Sequence, residues 1–313
     1  MTDRRLMLLD TAALYFRAYY GMPDTVTSPD GRPVNAIRGL LDMIGRLVTE
    51  FTPTDLVACW DDDWRPQWRV DLLPTYKAHR VAEAAPVGPD TEVVPDTLTP
   101  QVPIIVDALT ALGIPIVGKA EYEADDIIGT LAATATIPVD VVTGDRDLFQ
   151  VVDDDRDVRV IYTARGMSKL EIVTEEVLRA KYGISARQYA DFAVMRGDAS
   201  DGLPGVAGVG EKTAATLLAQ FGDLDGILAA AAEGSRSPLS VGVKTKLRTA
   251  ADYLTRAPAV VNVARDLELP DIDARIGIPD SGREAIAELQ TRWGLGRSVT
   301  RAVEALDLRA TRV

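Results

Sequence analysis

The chain reads as an α/β protein: a mainly parallel central sheet flanked by helices, joined to a smaller helical part. Three observations predict this. Short apolar runs alternate with helix-period segments over the first 165 residues, the pattern of strands covered on both faces. From about Thr174 the pattern is almost wholly helical. Residues 64–100 break the alternation with a stretch too long for an ordinary connection, so they read as an insertion.

In chain order, Leu6–Leu9, Leu56–Trp60, Ile114–Val117, Val139–Thr143 and Val158–Thr163 are short aliphatic runs bounded by polar residues, and read as strands. Ala36–Val48, Val102–Leu112 and Ala124–Ala135 carry helical spacing between them. The insertion begins Trp64-Arg-Pro-Gln-Trp68-Arg and passes through Tyr76-Lys77-Ala-His79-Arg80. It then turns rich in Pro, Gly and acids up to Pro100. Later helices are expected at Glu175–Tyr182, Ala186–Met195, Glu211–Phe221, Leu224–Ala232 and Val243–Thr255. A strand-like run, Val260–Leu269, precedes two more helices, Ser281–Trp293 and Val299–Leu308, with Gly294 placed to cap the first. The expected division is a core at 1–173 containing the insertion, a helical part at 174–258, and a tail at 259–313 packing back on the core. No internal repeat is visible.

The 313 residues are 47% hydrophobic, enough for a sizeable core. No apolar run approaches the roughly 18 residues of a membrane span. Leu6–Leu9 ends at Asp10, which makes a poor signal peptide and a good buried strand. The single cysteine, Cys59, excludes an internal disulfide and any Cys-based zinc site, and reads as a small buried hydrophobe. The single histidine, His79, excludes His-cluster metal chemistry and reads as an exposed residue of the insertion. A net charge of −13 argues against broad nonspecific nucleic-acid binding. Setting aside nine carboxylates that form one candidate cluster leaves 38 acids against 34 bases, which still permits a focused phosphate site.

Those nine come from five segments. In parallel sheets the functional site lies beyond the carboxyl ends of the strands. Asp10, Asp61, and Asp145 with Asp147 come directly after three of the expected strands. One acid after a strand is an ordinary turn residue; acids after three strands at one edge suggest a shared site. Glu123-Ala-Asp125-Asp126 opens a helix. Glu123 and Asp126 share a face and Asp125 lies about 100° round, so all three can surround a point beyond the helix start. Acids also suit helix N-termini, so capping is a fair alternative account of this trio. Asp198 and Asp201 complete the set.

The stretch from Gly197 to Thr213 joins that last pair to Gly205-Val-Ala-Gly208-Val-Gly210, which opens the helix-forming run Glu211-Lys-Thr-Ala-Ala-Thr-Leu-Leu218. Glycines before a helix let backbone N–H groups approach a phosphate, and the helix dipole favours the anion. A nucleotide-binding P-loop is ruled out because Glu211 stands where Lys must follow the second Gly. A helix cap with a turn accounts for one or two of the glycines, not for four within residues 202–210. If the carboxylates converge, each close pair would cost about 4 kcal/mol at ~4 Å with an effective dielectric near ~20, so cations must bind them. Oxygen-only ligands select hard ions, Mg²⁺, Mn²⁺ or Ca²⁺, and two such ions suit phosphodiester hydrolysis.

The motifs carry a family resemblance. Leu9-Asp10 with Tyr15-Phe-Arg17-Ala-Tyr19, Trp60-Asp61, Tyr76-Lys77 with Arg80, Tyr122-Glu-Ala-Asp-Asp126, Thr143-Gly-Asp-Arg-Asp-Leu-Phe-Gln150 and the 197–213 segment appear in the order seen in bacterial 5′ nucleases of the flap-endonuclease superfamily. The chain resembles the type found as the N-terminal domain of DNA polymerase I, but stand-alone. The resemblance implies a PIN-like nuclease core, a helical arch formed by 64–100, and a helix-two-turn-helix DNA-binding subdomain. It implies that Asp10, Asp61, Glu123 and Asp125 hold one ion, and that Asp126, Asp145, Asp147, Asp198 and Asp201 hold or orient a second, with scope for a third. Asp61-Asp62-Asp63 is a triple where the family has one acid, so the ligand is Asp61 or Asp62. Lys77 and Arg80 would act at the scissile phosphate. Arg17, Tyr76, Gly208, Gly210, Lys212 and Thr213 would contact DNA, Tyr76 by stacking on a terminal base and the glycines around K⁺. Gly202 stands where the family has Asn, which implies a changed turn. The implied activity is metal-dependent cleavage of branched or 5′-flapped DNA in replication and repair, leaving 5′-phosphate and 3′-hydroxyl ends. A cytoplasmic, nucleoid-associated monomer is the matching expectation. Two rivals remain: a PIN-like ribonuclease, and a catalytically silent DNA-junction binder.

Overall fold

The computed structural model describes residues 4–84, 90–233 and 236–311. Its centre is a six-stranded sheet in the order β5-β2-β1-β6-β7-β8. The strands are β1 (Leu6–Asp10), β2 (Asp55–Cys59), β5 (Ile116–Val117), β6 (Val139–Thr143), β7 (Val158–Tyr162) and β8 (Glu171–Val173). All pairings are parallel except β7 with β8. Every residue of β1, β2 and β6 is buried, as continuous aliphatic runs covered on both faces require. Leu6 and Leu8 face one core; Met7 and Leu9 face the other.

The second core is closed by α1 (Thr11–Gly21), α2 (Asn35–Phe51), α4 (Val102–Ala111), α12 (Asp280–Trp293) and α13 (Gly296–Ala310). The first is closed by α5 (Ala124–Thr134), α6 (Glu175–Tyr182), α7 (Tyr189–Arg196), α8 (Glu211–Phe221), α9 (Leu224–Ala232), α10 (Val241–Thr249) and α11 (Ala251–Val261). The insertion holds α3 (Gln67–Leu72) and the antiparallel pair β3 (Val81–Glu83) and β4 (Thr91–Glu92). Residues 85–89, within its acidic Pro-rich half, lie outside the described residues.

Several expectations are corrected. Among the described residues the insertion expected as a helical arch is helical only in part: it holds one six-residue α-helix, a 3₁₀ turn at Ala78–Arg80 and the antiparallel β3–β4 pair. Val260–Leu269 forms no strand. Val260 and Val261 end α11, and the backbone beyond bonds to side chains instead of a ladder. Val263 N–H donates to Gln150 Oε1 at 3.0 Å and Ala264 N–H to Asp126 Oδ1 at 2.9 Å. Val243–Thr255 is two helices, α10 and α11, meeting at Ala250. Ala186–Gln188 is a 3₁₀ turn ahead of α7. Helix α1 and strand β8 were not expected. Cys59 is buried and Gly294 caps α12 at φ 62°.

Chain order sets the site. After β1 the sheet grows outward through β2 and β5, then returns to place β6 on the other side of β1. The switch point is therefore the crevice beyond the ends of β1 and β6, where open parallel sheets bind their ligands.

Candidate active site

Asp10 ends β1 and its Oδ1 accepts from Ala13 N–H at 3.2 Å, capping α1. Its Oδ2 accepts from the Thr143 hydroxyl at the end of β6, 2.6 Å away. Thr143 Oγ1 also accepts from Asp145 N–H at 2.8 Å, so one hydroxyl ties both strand ends together. Asp61, beyond β2, accepts from Ala124 N–H at 2.8 Å. Asp10, Asp61 and Asp145 share a cavity of about 500 Å³ with Glu123, Asp125 and Asp198. A second void of about 10 Å³ is lined by Asp125, Asp147 and Asp201, so Asp125 walls both. Asp62 is exposed, with its carboxyl against Gly118, so Asp61 is the member of the triple that faces the cavity.

Eight of the nine expected carboxylates thus line one of two spaces sharing a wall. Asp126 does not. It is 0% exposed, its Oδ1 and Oδ2 each lie 2.8 Å from the Arg69 guanidinium, and it caps the Glu123 N–H at 3.2 Å. The capping account holds for Asp126, whose oxygens are taken up by Arg69 and the Glu123 N–H and do not face an ion site as expected. Glu123 is also held: Oε1 accepts from Arg69 and the Tyr76 hydroxyl, at 2.8 and 2.7 Å, and Oε2 pairs with Lys77. Among the described residues, no three Asp, Glu, His or Cys side chains close on one point as a ready ligand set. Ion pairs to Arg69, Lys77, Arg196 and Arg80 draw Glu123, Asp126, Asp198 and Asp201 aside.

The electrostatics still fit a cation. Burial pushes Asp10 up to about 7, helped by the Asp61 and Asp145 charges and opposed by the Thr143 hydrogen bond. Burial raises Asp61 and Asp201 to about 6 each. It pushes Asp125 and Asp147 well above the ordinary carboxylate range, with Asp145 adding repulsion to both. Asp147 Oδ1 is buried without a hydrogen-bond partner. An orphaned carboxylate oxygen among oxygen-only donors is the chemistry that hard divalent ions satisfy. Glu123 differs: burial disfavours its charge, but Lys77 and Arg69 outweigh this and hold it below the usual Glu value.

The cationic rim is Lys77 and Arg80 on the insertion side, and Arg17 and Arg146 on the other. Arg80 donates to the Ser200 carbonyl at 2.9 Å and to Asp201 Oδ1 at 3.2 Å. Arg17 Nε is buried without a partner. Tyr76 is only 5% exposed and its hydroxyl is committed to Glu123, so it offers no ring face for base stacking; that expectation is corrected. Gly208, Gly210, Lys212 and Thr213 lie at the start of α8 and do not line the cavity. Lys212 is exposed, and nothing lies within 4 Å of a Cβ built at Gly210.

Sequence reasoning missed Arg69, Arg146, Tyr162 and Glu92, the last three of which line the cavity. Arg146 sits between Asp145 and Asp147, a visible signal. Arg69 shows as a basic residue in the insertion, but nothing local marks it as buried.

A parallel sheet whose switch crevice holds a carboxylate-lined cavity under a cationic rim is the arrangement of a metal-dependent nuclease. Residues 5–183 match the family model described as the 5′-3′ exonuclease N-terminal resolvase-like domain, and residues 184–280 match the 5′-3′ exonuclease C-terminal SAM fold. A 5′-3′ exonuclease of Streptomyces coelicolor is 59% identical, covering 96% of this chain and 99% of its own length. One from Mycobacterium tuberculosis is 49% identical, with 96% and 98% covered. The crystal structure of the bacteriophage T5 flap endonuclease, in a pseudo-enzyme-product complex with DNA and metal ions, shares the fold at a TM-score of 0.62 and 17% identity, covering 97% of this chain and 100% of the other. The chain belongs to the 5′-3′ exonuclease family.

Proposed function

We propose that this chain is a structure-specific 5′ nuclease, a flap endonuclease and 5′-3′ exonuclease, that cuts branched DNA beside the junction of single strand and duplex. The observation that carries the reading is the shared cavity: carboxylates from the ends of β1, β2 and β6, from the start of α5 and from the turn after α7 meet beneath Lys77 and Arg80. Asp10, Asp61, Glu123 and Asp125 would hold one Mg²⁺ or Mn²⁺ ion; Asp145, Asp147, Asp198 and Asp201 would hold or orient a second. When bound, the ions would activate water and stabilise the leaving oxygen.

The chain's own residues do the rest. Lys77, released from Glu123, would face the charge developing on the scissile phosphate. Arg80 and Arg17, on opposite rims, would fix the phosphates on either side. The open start of α8, with Gly210, Lys212 and Thr213, would grip duplex backbone away from the cavity. The products would be a 5′-phosphate and a 3′-hydroxyl. Residues 1–173, 174–258 and 259–313 would divide these tasks: cleavage, duplex grip, and a brace across α2. The close approach of α13 to α2 supports that brace: a Cβ at Gly45 of α2 would stand 3.2 Å from the Ala302 nitrogen. A monomer in the bacterial cytoplasm, at the nucleoid, suits this work. Among the described residues no helix is long and apolar enough to cross a membrane.

The test is cleavage of a labelled 5′-flap duplex beside single-stranded DNA and matching RNA, in Mg²⁺, Mn²⁺ or EDTA. Metal-dependent incision near the flap junction is expected. Preference for RNA would favour the ribonuclease reading; binding without incision in any metal would favour the silent junction binder.

A further inference from the structure

We infer that Lys246 supplies the cation of the glycine turn, at the place where the family resemblance implies K⁺, so that this chain grips DNA without a monovalent ion. The inference rests on the DNA-binding reading of the turn before α8. Gly205 and Gly208 take left-handed φ values of +65° and +74°. Lys246, in the last turn of α10, crosses to this turn and donates from Nζ to the Gly208 carbonyl at 2.7 Å. A Cβ at Gly208 would stand 2.9 Å from Nζ and 3.2 Å from Cε, so glycine is what lets the lysine lie against the turn.

A free K⁺ does not fit that carbonyl as it stands. It would share one oxygen with an ammonium group, and like charges at that range repel strongly. The tethered ammonium gives the turn the same positive charge without capturing an ion from solution. Beside it, Gly210 caps the start of α8, where the space around a Cβ position is open, and exposed Lys212 is close behind. A backbone phosphate would meet Lys246, Lys212 and the first N–H groups of α8 together.

Binding of a fluorescent 5′-flap duplex would be measured in EDTA, so that nothing is cut. Potassium chloride and tetramethylammonium chloride would be compared at equal ionic strength. The unaltered chain should bind equally in both salts, within about twofold. Lys246→Met should bind about tenfold more weakly in tetramethylammonium, and potassium should recover much of that loss by reaching the freed carbonyl. Severalfold weaker binding of the unaltered chain without potassium would overturn the inference. So would equal binding by Lys246→Met and the unaltered chain in both salts. Absence of binding by the unaltered chain in either salt would defeat the DNA-binding reading itself, and this inference with it.

Discussion

Asp125 and Asp126 are neighbours with opposite surroundings. Asp125 faces two cavities and other acids; Asp126 faces Arg69. Their chemistry is identical, so nothing local in the sequence separates them. The decision is made by a guanidinium 57 positions away, with the Ala264 N–H as a further partner from much farther along the chain. Tyr76 escapes a sequence reading for the same reason, since its exposure depends on how the insertion docks. Asp10, Asp61 and Asp145 were legible because a strand's direction already aims the residues just beyond its end. Asp125→Asn should abolish cleavage and leave flap-duplex binding nearly intact; normal turnover would remove it from the ion site. Arg69→Gln leaves Asp126 buried without its cation, while Glu123 keeps Lys77 and the Tyr76 hydroxyl, and should lower stability by about 3–5 kcal/mol, read from denaturant unfolding. Lys77→Ala should slow single-turnover cleavage by about 100-fold at saturating DNA. If only KM moved, Lys77 would be a binding residue.

Elements were legible where burial tracks a local pattern. Val139–Thr143, Glu175–Tyr182, Glu211–Phe221 and Leu224–Ala232 have the expected bounds because aliphatic runs and capping residues mark them. Val260–Leu269 has the composition of a strand, but a strand needs a free neighbouring edge. The side chains of Gln150, Asp126 and Thr130 supply its partners instead. The turn from Asp198 to Leu203 shows how elements meet over the site. Asp198 and Leu203 exchange backbone hydrogen bonds at 3.0 and 2.8 Å, and Lys77 N–H donates to the Asp201 carbonyl at 3.0 Å. Gly202, at φ +71°, lies so close to Thr75 that a Cβ would collide with its carbonyl oxygen. Gly202→Asn should therefore push this turn off the insertion. We expect a stability loss of roughly 1–3 kcal/mol with slower turnover, checked by thermal unfolding beside kinetics. Unchanged stability and rate would show that the turn tolerates a side chain.

At the scale of the whole molecule, the cavity makes folding sensitive to pH and metal. Asp10, Asp61 and Asp201 hold protons more tightly folded than unfolded, with values of about 7, 6 and 6. The folded state then binds more protons than the unfolded one between the ordinary Asp value, near ~4, and about 7, so metal-free stability should fall as pH rises through that window. Glu123 and Asp198, held below their ordinary values, act in the opposite sense at lower pH. Melting temperature in EDTA should be higher at pH 5 than at pH 7.5, and Mg²⁺ should raise it more at pH 7.5; a flat profile in both series would contradict the clustered carboxylates. Arg69 has a consequence of another kind. It belongs to α3, bonds to α5 through Asp126, and donates to the Val260 carbonyl of α11 at 3.1 Å. Three segments far apart in the chain therefore have one fastening. In hydrogen–deuterium exchange the amides of α3, the first turn of α5 and residues 262–264 should lose protection together, as a single cooperative unit, and the insertion should never loosen alone.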